Sequence, residues 1–308
     1  MSILLDERNR VVIQGITGKM GRFSANDLMA YGTCLLGGVT PGRPDLEVEG
    51  LPVFPDMATA CREVGTDTSL VYVPPHSALD AIVEAVEAGC RLVVYPGDGF
   101  PVLDAMEMRA AAEANGAVVI APNTPGIISP GKAKVGFMPS FCCVPGPLGV
   151  ISQSGSLSYE SSHRLTLAGL GQSTVVGIGG DPIKGLSSLE ALELFHRDHE
   201  TEAIVFLGEI GGQDEAQAAE YAGRPDAKPV AALVVGKCAP RGKKMGHASA
   251  FIGSLSETHE AKVAALRAAG AEVAESVDRL VEVAGAALMR ARQGKDSGFP
   301  ASPGLPSS

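Results

Sequence analysis

The stretch RVVIQGITGKMG, residues 10–21, sets the fold. A short β-branched apolar run ends on Gly15, and two more glycines, Gly18 and Gly21, follow at three-residue steps. An apolar run of this length bounded by glycine reads as a buried strand, and the residues after it read as a turn into a helix. Such a turn lets backbone N–H groups at a helix N-terminus approach a diphosphate. The spacing is G-x-x-G-x-x-G, which differs from the dinucleotide fingerprint G-x-G-x-x-G. No acid stands at the end of the next apolar run to hold a ribose diol; GGVTPGR stands there, with Arg43. A basic residue suits a phosphate. Three readings stay open on these residues: a phosphate-bearing ligand, NAD(P), or a tight turn with no ligand.

Working outward, the same unit repeats. Apolar runs at 10–15, 34–40, 68–75, 90–99 and 116–126 predict five strands. Helices are expected at 23–30, 57–64, 78–89 and 103–115. After the Pro/Gly-rich junction NTPGIISPG, at 123–131, the pattern restarts. Strands are expected at 146–155, 172–181, 202–212, 229–237 and 271–276, and helices near 156–169, 187–196, 213–223, 257–269 and 277–293. Strand–helix alternation at this spacing predicts an α/β protein with two doubly wound parallel sheets. Ligands in such sheets bind beyond the carboxyl ends of the strands, where each glycine-rich turn of this chain falls.

Length and composition agree with two domains. The chain has 308 residues, enough for two separate cores. Its net charge of −10 gives no electrostatic basis for binding a nucleic acid backbone. An anionic ligand therefore needs a local cationic site. The six cysteines form no C-x-x-C pair and read as reduced cytoplasmic thiols. MSILLDERNR lacks a long apolar segment and predicts no signal peptide. No run is long enough to span a bilayer. The Ser/Pro/Gly-rich stretch from Arg292 to Ser308 is expected to be a disordered tail.

Three further turns carry polar side chains. In ISQSGSLSYE (151–160), Ser154, Gly155 and Ser156 pass from a strand into a helix. They serve equally as an ordinary N-cap or as an anion site. The glycine positions do not fit a G-x-S-x-G nucleophile elbow. In FLGEIGG (206–212), Glu209 is either a surface acid or a carboxylate that orients an imidazole. In APRGKKMGHASAFIG (239–253), His247 lies between small residues on a basic loop, with Lys243 and Lys244 nearby. It is either an accidental histidine on an exposed turn or a nucleophile for an anionic group. His196 and His199 lie in a polar helix end and are expected to be solvated; His76, His163 and His259 have no anion site around them. The chain carries neither a P-loop nor a glycine-rich ATP-grasp loop, so no use of ATP by this chain alone is expected.

Together VTPG (39–42), GLPVF (50–54), YVP (72–74), GIGGDPI (177–183), GEIGG (208–212) and APRGKKMGHA (239–248) resemble the succinate–CoA ligase α-subunit family, which shares its architecture with malate–CoA ligase. The resemblance runs from the N-terminus to about residue 290. It implies a Rossmann-like CoA-binding domain over 1–122 and a flavodoxin-like ligase domain over 123–291. It implies a phosphorylated histidine at His247, held by Glu209, with Ser154, Gly155 and Ser156 steadying the phosphate. Thr17, Gly18, Lys19 and Met20 fall on the CoA diphosphate loop. Arg43 stands where the family usually has Lys. Tyr72, Val73 and Pro74 approach the CoA chain, and Asp98 replaces the usual Glu. Thr124 and Tyr159 fall on the carboxylate site. The implied partner is an ATP-grasp β subunit carrying Mg-ATP or Mg-GTP; no metal site, nucleic acid or membrane partner is implied for this chain. The non-catalytic alternative is a CoA or acyl-CoA sensor of the same fold. Departures cluster near the acyl-phosphate site: Thr124 in PNTPG, Gln153 in place of an Arg, and Ser249 in place of a Gly. GRPDLE (42–47) also adds acids beside the CoA loop. These changes leave the carboxylate open among succinate, malate and other small acids.

Overall fold

A computed structural model describes residues 2–43, 46–240 and 242–296. The first half runs β1 (Val11–Gln14), α1 (Lys19–Tyr31), β2 (Leu35–Val39), β3 (Glu47–Val48), β4 (Leu51–Phe54), α2 (Met57–Val64), β5 (Thr68–Val71), α3 (Pro75–Glu87), β6 (Leu92–Val94), α4 (Val102–Ala114) and β7 (Val118–Ile120). Its sheet order is β3-β4-β2-β1-β5-β6-β7. The pairs β1/β2, β1/β5, β2/β4, β5/β6 and β6/β7 are parallel. Setting aside the short β3, this is the Rossmann order, with the chain reversing direction across the sheet between β1 and β5.

The second half runs β8 (Gly126–Ser129), β9 (Ala133–Gly136), β10 (Pro145–Ser152), α5 (Gly155–Leu167), β11 (Gln172–Gly177), α6 (Ser188–Arg197), β12 (Ala203–Glu209), α7 (Asp214–Ala222), β13 (Val230–Val235), α8 (His259–Ala268), β14 (Glu272–Ala274) and α9 (Val277–Asp296). The order β14-β13-β12-β10-β11-β8-β9 contains the five-strand flavodoxin-like arrangement, with its switch point between β10 and β12. The strands β12 and β13 are buried along almost their whole length, and β10 from Leu148 onward, as expected for parallel strands covered on both faces.

Three expectations need correction. The sheets are not wholly parallel: β3 pairs antiparallel with β4, and β8 pairs antiparallel with both β9 and β11. The Pro/Gly-rich junction therefore supplies an edge hairpin to the second sheet. Second, α1 and α3 start earlier than expected. Their N-caps, Gly18 and Pro74, make no side-chain cap bond, so the usual sequence signal for a helix start is absent. Third, α9 continues to Asp296, past the expected start of the tail at 292; residues 297–308 lie outside the described residues.

The halves are tied by buried polar contacts. Lys134 on β9 is 1% exposed and pairs with Asp27 of α1 at 2.5 Å. Thr33 donates its hydroxyl to Lys134 O at 3.0 Å and accepts from Lys134 N at 3.0 Å. Ser129 Oγ donates to Leu5 O at 2.7 Å. A buried cation held this way fixes how the two sheets meet, because removing its partner would strand a charge.

Candidate active site

Two sites form, one at the carboxyl edge of each sheet. At the first, Gly15 has a φ of +79° and lies against the backbone of Tyr72 at the β1/β5 switch point. A Cβ at Gly21 would strike the backbone of Gly15 and Ile16, so glycine there lets α1 approach the end of β1. Because Gly18 caps α1 without a side chain, the first-turn N–H groups have no side-chain acceptor. Lys19 and Met20 are exposed at that turn, as is Arg43 beyond β2. Thr17 and Thr40 bring their hydroxyls to 3.3 Å, linking the β1 and β2 ends. These features suit the diphosphate of a ligand such as CoA: a tightly packed glycine backbone, open amides and two exposed cations.

The other expected contacts divide. Val73 and the exposed Pro74 continue β5 along the same edge. The Tyr72 hydroxyl instead accepts from Ser24 Oγ at 2.8 Å, and burial pushes its pKa up to about 12. That phenol is held against α1, which leaves the Tyr72 backbone as its contribution to the crevice. Asp98 is exposed beyond β6, where its carboxylate accepts from Gly99 N at 2.7 Å. Pro44 and Asp45, including one of the acids expected beside Arg43, lie outside the described residues.

The second site forms around His247, on the segment between β13 and α8. His247 Nδ1 lies 2.7 Å from Glu209 Oε2. Glu209 ends β12 and is 5% exposed. A carboxylate accepts, so Nδ1 carries the proton and Nε2 keeps its lone pair. The Glu209 hydrogen bond, opposed by partial burial and aided by the charges of Glu209 and Asp181, raises the His247 pKa above its ordinary value. Gly180 lies directly under the ring: a Cβ there would come within 2.5 Å of His247 Cγ. The glycine in GIGGDPI is thus the surface on which the imidazole rests.

The carboxylate is fixed from behind by residues that, Gln153 apart, sequence reasoning did not single out. Glu209 N donates to Glu215 Oε1 at 2.8 Å. Lys262 is 4% exposed; its ammonium donates to Glu209 O at 3.0 Å and also to Gly211 O and Glu215 Oε2. Burial raises the pKa of Glu215 despite that cation. Gln153 Nε2 donates to Glu215 Oε1 at 2.8 Å. Residue 153 therefore faces this buried network, and its exchange for an Arg says nothing direct about the substrate. Lys262 sits among alanines in a helical pattern, where the only sequence signal is that of a solvated lysine.

Ser154 caps α5, its Oγ accepting from Leu157 N at 3.4 Å, while Ser156 is exposed. Capping and anion binding are compatible here, because the remaining first-turn N–H groups have no intrahelical partner. Gly155 packs toward Pro125, Pro125 against Gly177, and Asn123 donates to Asp181 Oδ1 at 3.2 Å. The 123–125 segment thus bridges the α5 turn and the 177–181 loop under His247. Thr124 is 2% exposed; it donates its hydroxyl to Gly177 O at 2.5 Å and accepts from Gly126 N at 2.9 Å. Its role in this structure is to hold that bridge. The Tyr159 hydroxyl is buried beside Gly155 with no partner among the described residues, and burial raises its pKa. An orphaned donor next to a helix N-terminus fits an anionic ligand group.

Other histidines stay apart from this site. His199 is exposed, but His196 Nδ1 lies 3.1 Å from the Tyr221 hydroxyl, so it is not simply solvated. A cavity of about 770 Å³ opens on the flank of the histidine loop, between Arg109, Lys184, Asp214 and Phe251; His247 does not line it.

Comparison with known proteins now bears on this geometry. Residues 6–96 match the CoA binding domain family and residues 151–272 match the CoA-ligase family. The chain is 49% identical over 277 residues to succinate–CoA ligase [ADP-forming] subunit alpha 1 of Archaeoglobus fulgidus, covering 90% of this chain and 95% of that one. The chain belongs to the CoA-ligase α-subunit family. Another relative in this family is the malate–CoA ligase subunit alpha of Methylorubrum extorquens, 44% identical over 89% of this chain and 94% of that one. In fold, the α-subunit chain is similar to ATP citrate lyase from Methanothrix soehngenii, whose structure holds citrate and coenzyme A. The TM-score is 0.87 at 23% identity; the match covers 99% of this chain and 53% of that enzyme, so this chain spans about half its length. Among the described residues, no helix is long and apolar enough to cross a membrane.

Proposed function

We propose that this chain is the α subunit of a nucleotide-dependent carboxylate–CoA ligase and acts as its phosphoryl relay. The observation that carries the reading is the His247–Glu209 pair, 2.7 Å apart, with Nε2 left as the free ring nitrogen. Nε2 attacks the terminal phosphoryl group of a nucleoside triphosphate held on an ATP-grasp β subunit, and the nucleoside diphosphate leaves. Glu209 stabilises the positive charge that develops on the ring. The phosphoryl group then passes to a carboxylate oxygen of a small acid, giving an acyl phosphate and returning the lone pair to Nε2. The α5 N-terminus, with Ser154, Gly155 and Ser156, faces the charge that builds on the phosphoryl oxygens. The Tyr159 hydroxyl supplies a donor beside it. CoA supplies the thiol that captures the acyl group as phosphate leaves.

The first sheet, with Thr17–Met20, Arg43, Val73, Pro74 and Asp98 along its edge, holds CoA in this reading. The family matches over 6–96 and 151–272 support a CoA-binding unit over 1–122 and a ligase unit over 123–291. A chain that only sensed CoA would need no buried carboxylate aimed at an imidazole. Relatives named for succinate and malate point to a small dicarboxylate. The test is to co-produce the chain with its β subunit and assay acyl-CoA formation across small carboxylates. His247→Asn should lose turnover by at least about a thousandfold while keeping its CoA affinity. Retained turnover in that variant would refute the relay.

A further inference from the structure

Ser249 stands two residues beyond His247, and its hydroxyl meets two acceptors, Gly180 O and Glu209 Oε1, each at 2.8 Å. A serine hydroxyl has one hydrogen to donate. The carboxylate is the stronger acceptor, and Gly180 O already accepts from Ser249 N at 3.2 Å, so the hydrogen goes to Glu209 Oε1. Glu209 then has a partner on each oxygen: the imidazole on Oε2 and the hydroxyl on Oε1. The Ser249 backbone is fixed as well, since a Cβ on Gly211 would collide with Ser249 O.

We propose that Ser249 is a positioning residue for the phosphoryl-accepting histidine, acting through Glu209. Its hydroxyl holds the carboxylate plane so that Oε2 faces Nδ1, and it shares the carboxylate charge so that Nδ1–H is not held too tightly. This rests on the relay reading of His247. The groups that set the ring's protonation come from two elements: Glu209 at the end of β12, and Asp181 and Lys184 on the segment after β11, with Lys184 opposing the two acids. Lys243 and Lys244 lie on the ring's own loop, both exposed. Removing the Ser249 hydroxyl leaves more of the carboxylate charge facing Nδ1, so protonated His247 is favoured and the neutral, attacking form is depleted.

The experiment uses the full chain in complex with its β subunit and 15N-labelled imidazole. His247 is titrated, and the rate of its phosphorylation is followed against pH. Ser249→Ala should move the His247 midpoint upward, carry the acid limb of the phosphorylation rate with it, and lower the rate about tenfold through kcat with little change in KM. Ser249→Thr, which keeps a hydroxyl, should restore both. In a Glu209→Gln background, Ser249→Ala should change neither. An unchanged titration and rate in Ser249→Ala, a Thr variant that behaves like Ala, or an effect that survives in Glu209→Gln would overturn the inference. A wild-type chain that takes no phosphate, yet whose His247 titration responds to Ser249 in this way, would sink the relay and leave the positioning role standing.

Discussion

The glycine turn after β1 and the histidine loop after β13 both lie at carboxyl edges of strands, but they are built from different materials. The first is backbone: Gly15 and Gly21 permit close approach, Gly18 leaves amides open, and Lys19 and Arg43 are exposed. The second is side chains: His247, Glu209, Ser249, Glu215, Gln153 and Lys262 form one connected set, four of them buried. The difference follows from the task each site has in the proposed relay. A diphosphate arrives with its charge complete and needs only preset amides. A histidine that gains and loses a phosphoryl group changes charge during the reaction, so its partner must be held in one place by groups that do not move.

The contrast predicts opposite sensitivities. The second site should fail when a buried charge is removed. Lys262→Met strands Glu215 and should destabilise the chain by about 3–5 kcal/mol, read by chemical denaturation. The pKa of Glu215 is already raised in the fold, and losing Lys262 raises it further. A raised carboxyl pKa means the folded state takes up a proton more readily than the unfolded one. The deficit should therefore be complete above the folded pKa and shrink as pH falls through it. A deficit independent of pH would show that Glu215 does not carry the cost.

The first site should fail when a single carbon is added. Gly21→Ala sets a methyl against the backbone of Gly15 and Ile16 and should cost about 1–3 kcal/mol, with CoA affinity falling and phosphorylation of His247 unchanged. Equal loss at both sites would erase the distinction between them. The smallest effect is expected from Glu209→Gln, which keeps the shape of the contact but removes the charge. Its His247 pKa, now raised by Glu209, should drop back toward the ordinary imidazole range. The neutral ring attacks, so the acid limb of the phosphorylation rate should move to lower pH while the plateau rate falls. A limb that stays in place would mean that Glu209 does not set the protonation of the ring.

The same contrast explains what could be read from the chain. The β1 turn was legible because its information is local: an apolar run, three glycines and a helix within twelve residues. The alternation of strands and helices gave both sheet classes for the same reason. The hairpin β8–β9 was hidden because its partner, β11, lies more than forty residues downstream and its own sequence is rich in Pro and Gly. At the second site, spacing alone left His247 undecided; family resemblance paired it with Glu209, and the geometry puts the two side by side. Lys262, Glu215 and Lys134 were not legible at all. Each is charged in a helical or edge-strand pattern that reads as solvated, and only long-range packing shows that each is buried. Gln153 shows the converse hazard: a residue beside the α5 turn in sequence points into the buried network behind Glu209.

The central claim is that Nε2 of His247 carries the phosphoryl group while Glu209 holds Nδ1. The direct measurement is to incubate the complex with its β subunit and Mg-ATP, quench it in alkali, and locate the acid-labile phosphate by mass spectrometry and imidazole NMR. The account predicts stoichiometric phosphate on Nε2 of His247, discharged on adding a small carboxylate and CoA. Phosphate on another residue or on Nδ1, or none in a folded complex that binds CoA, would contradict it.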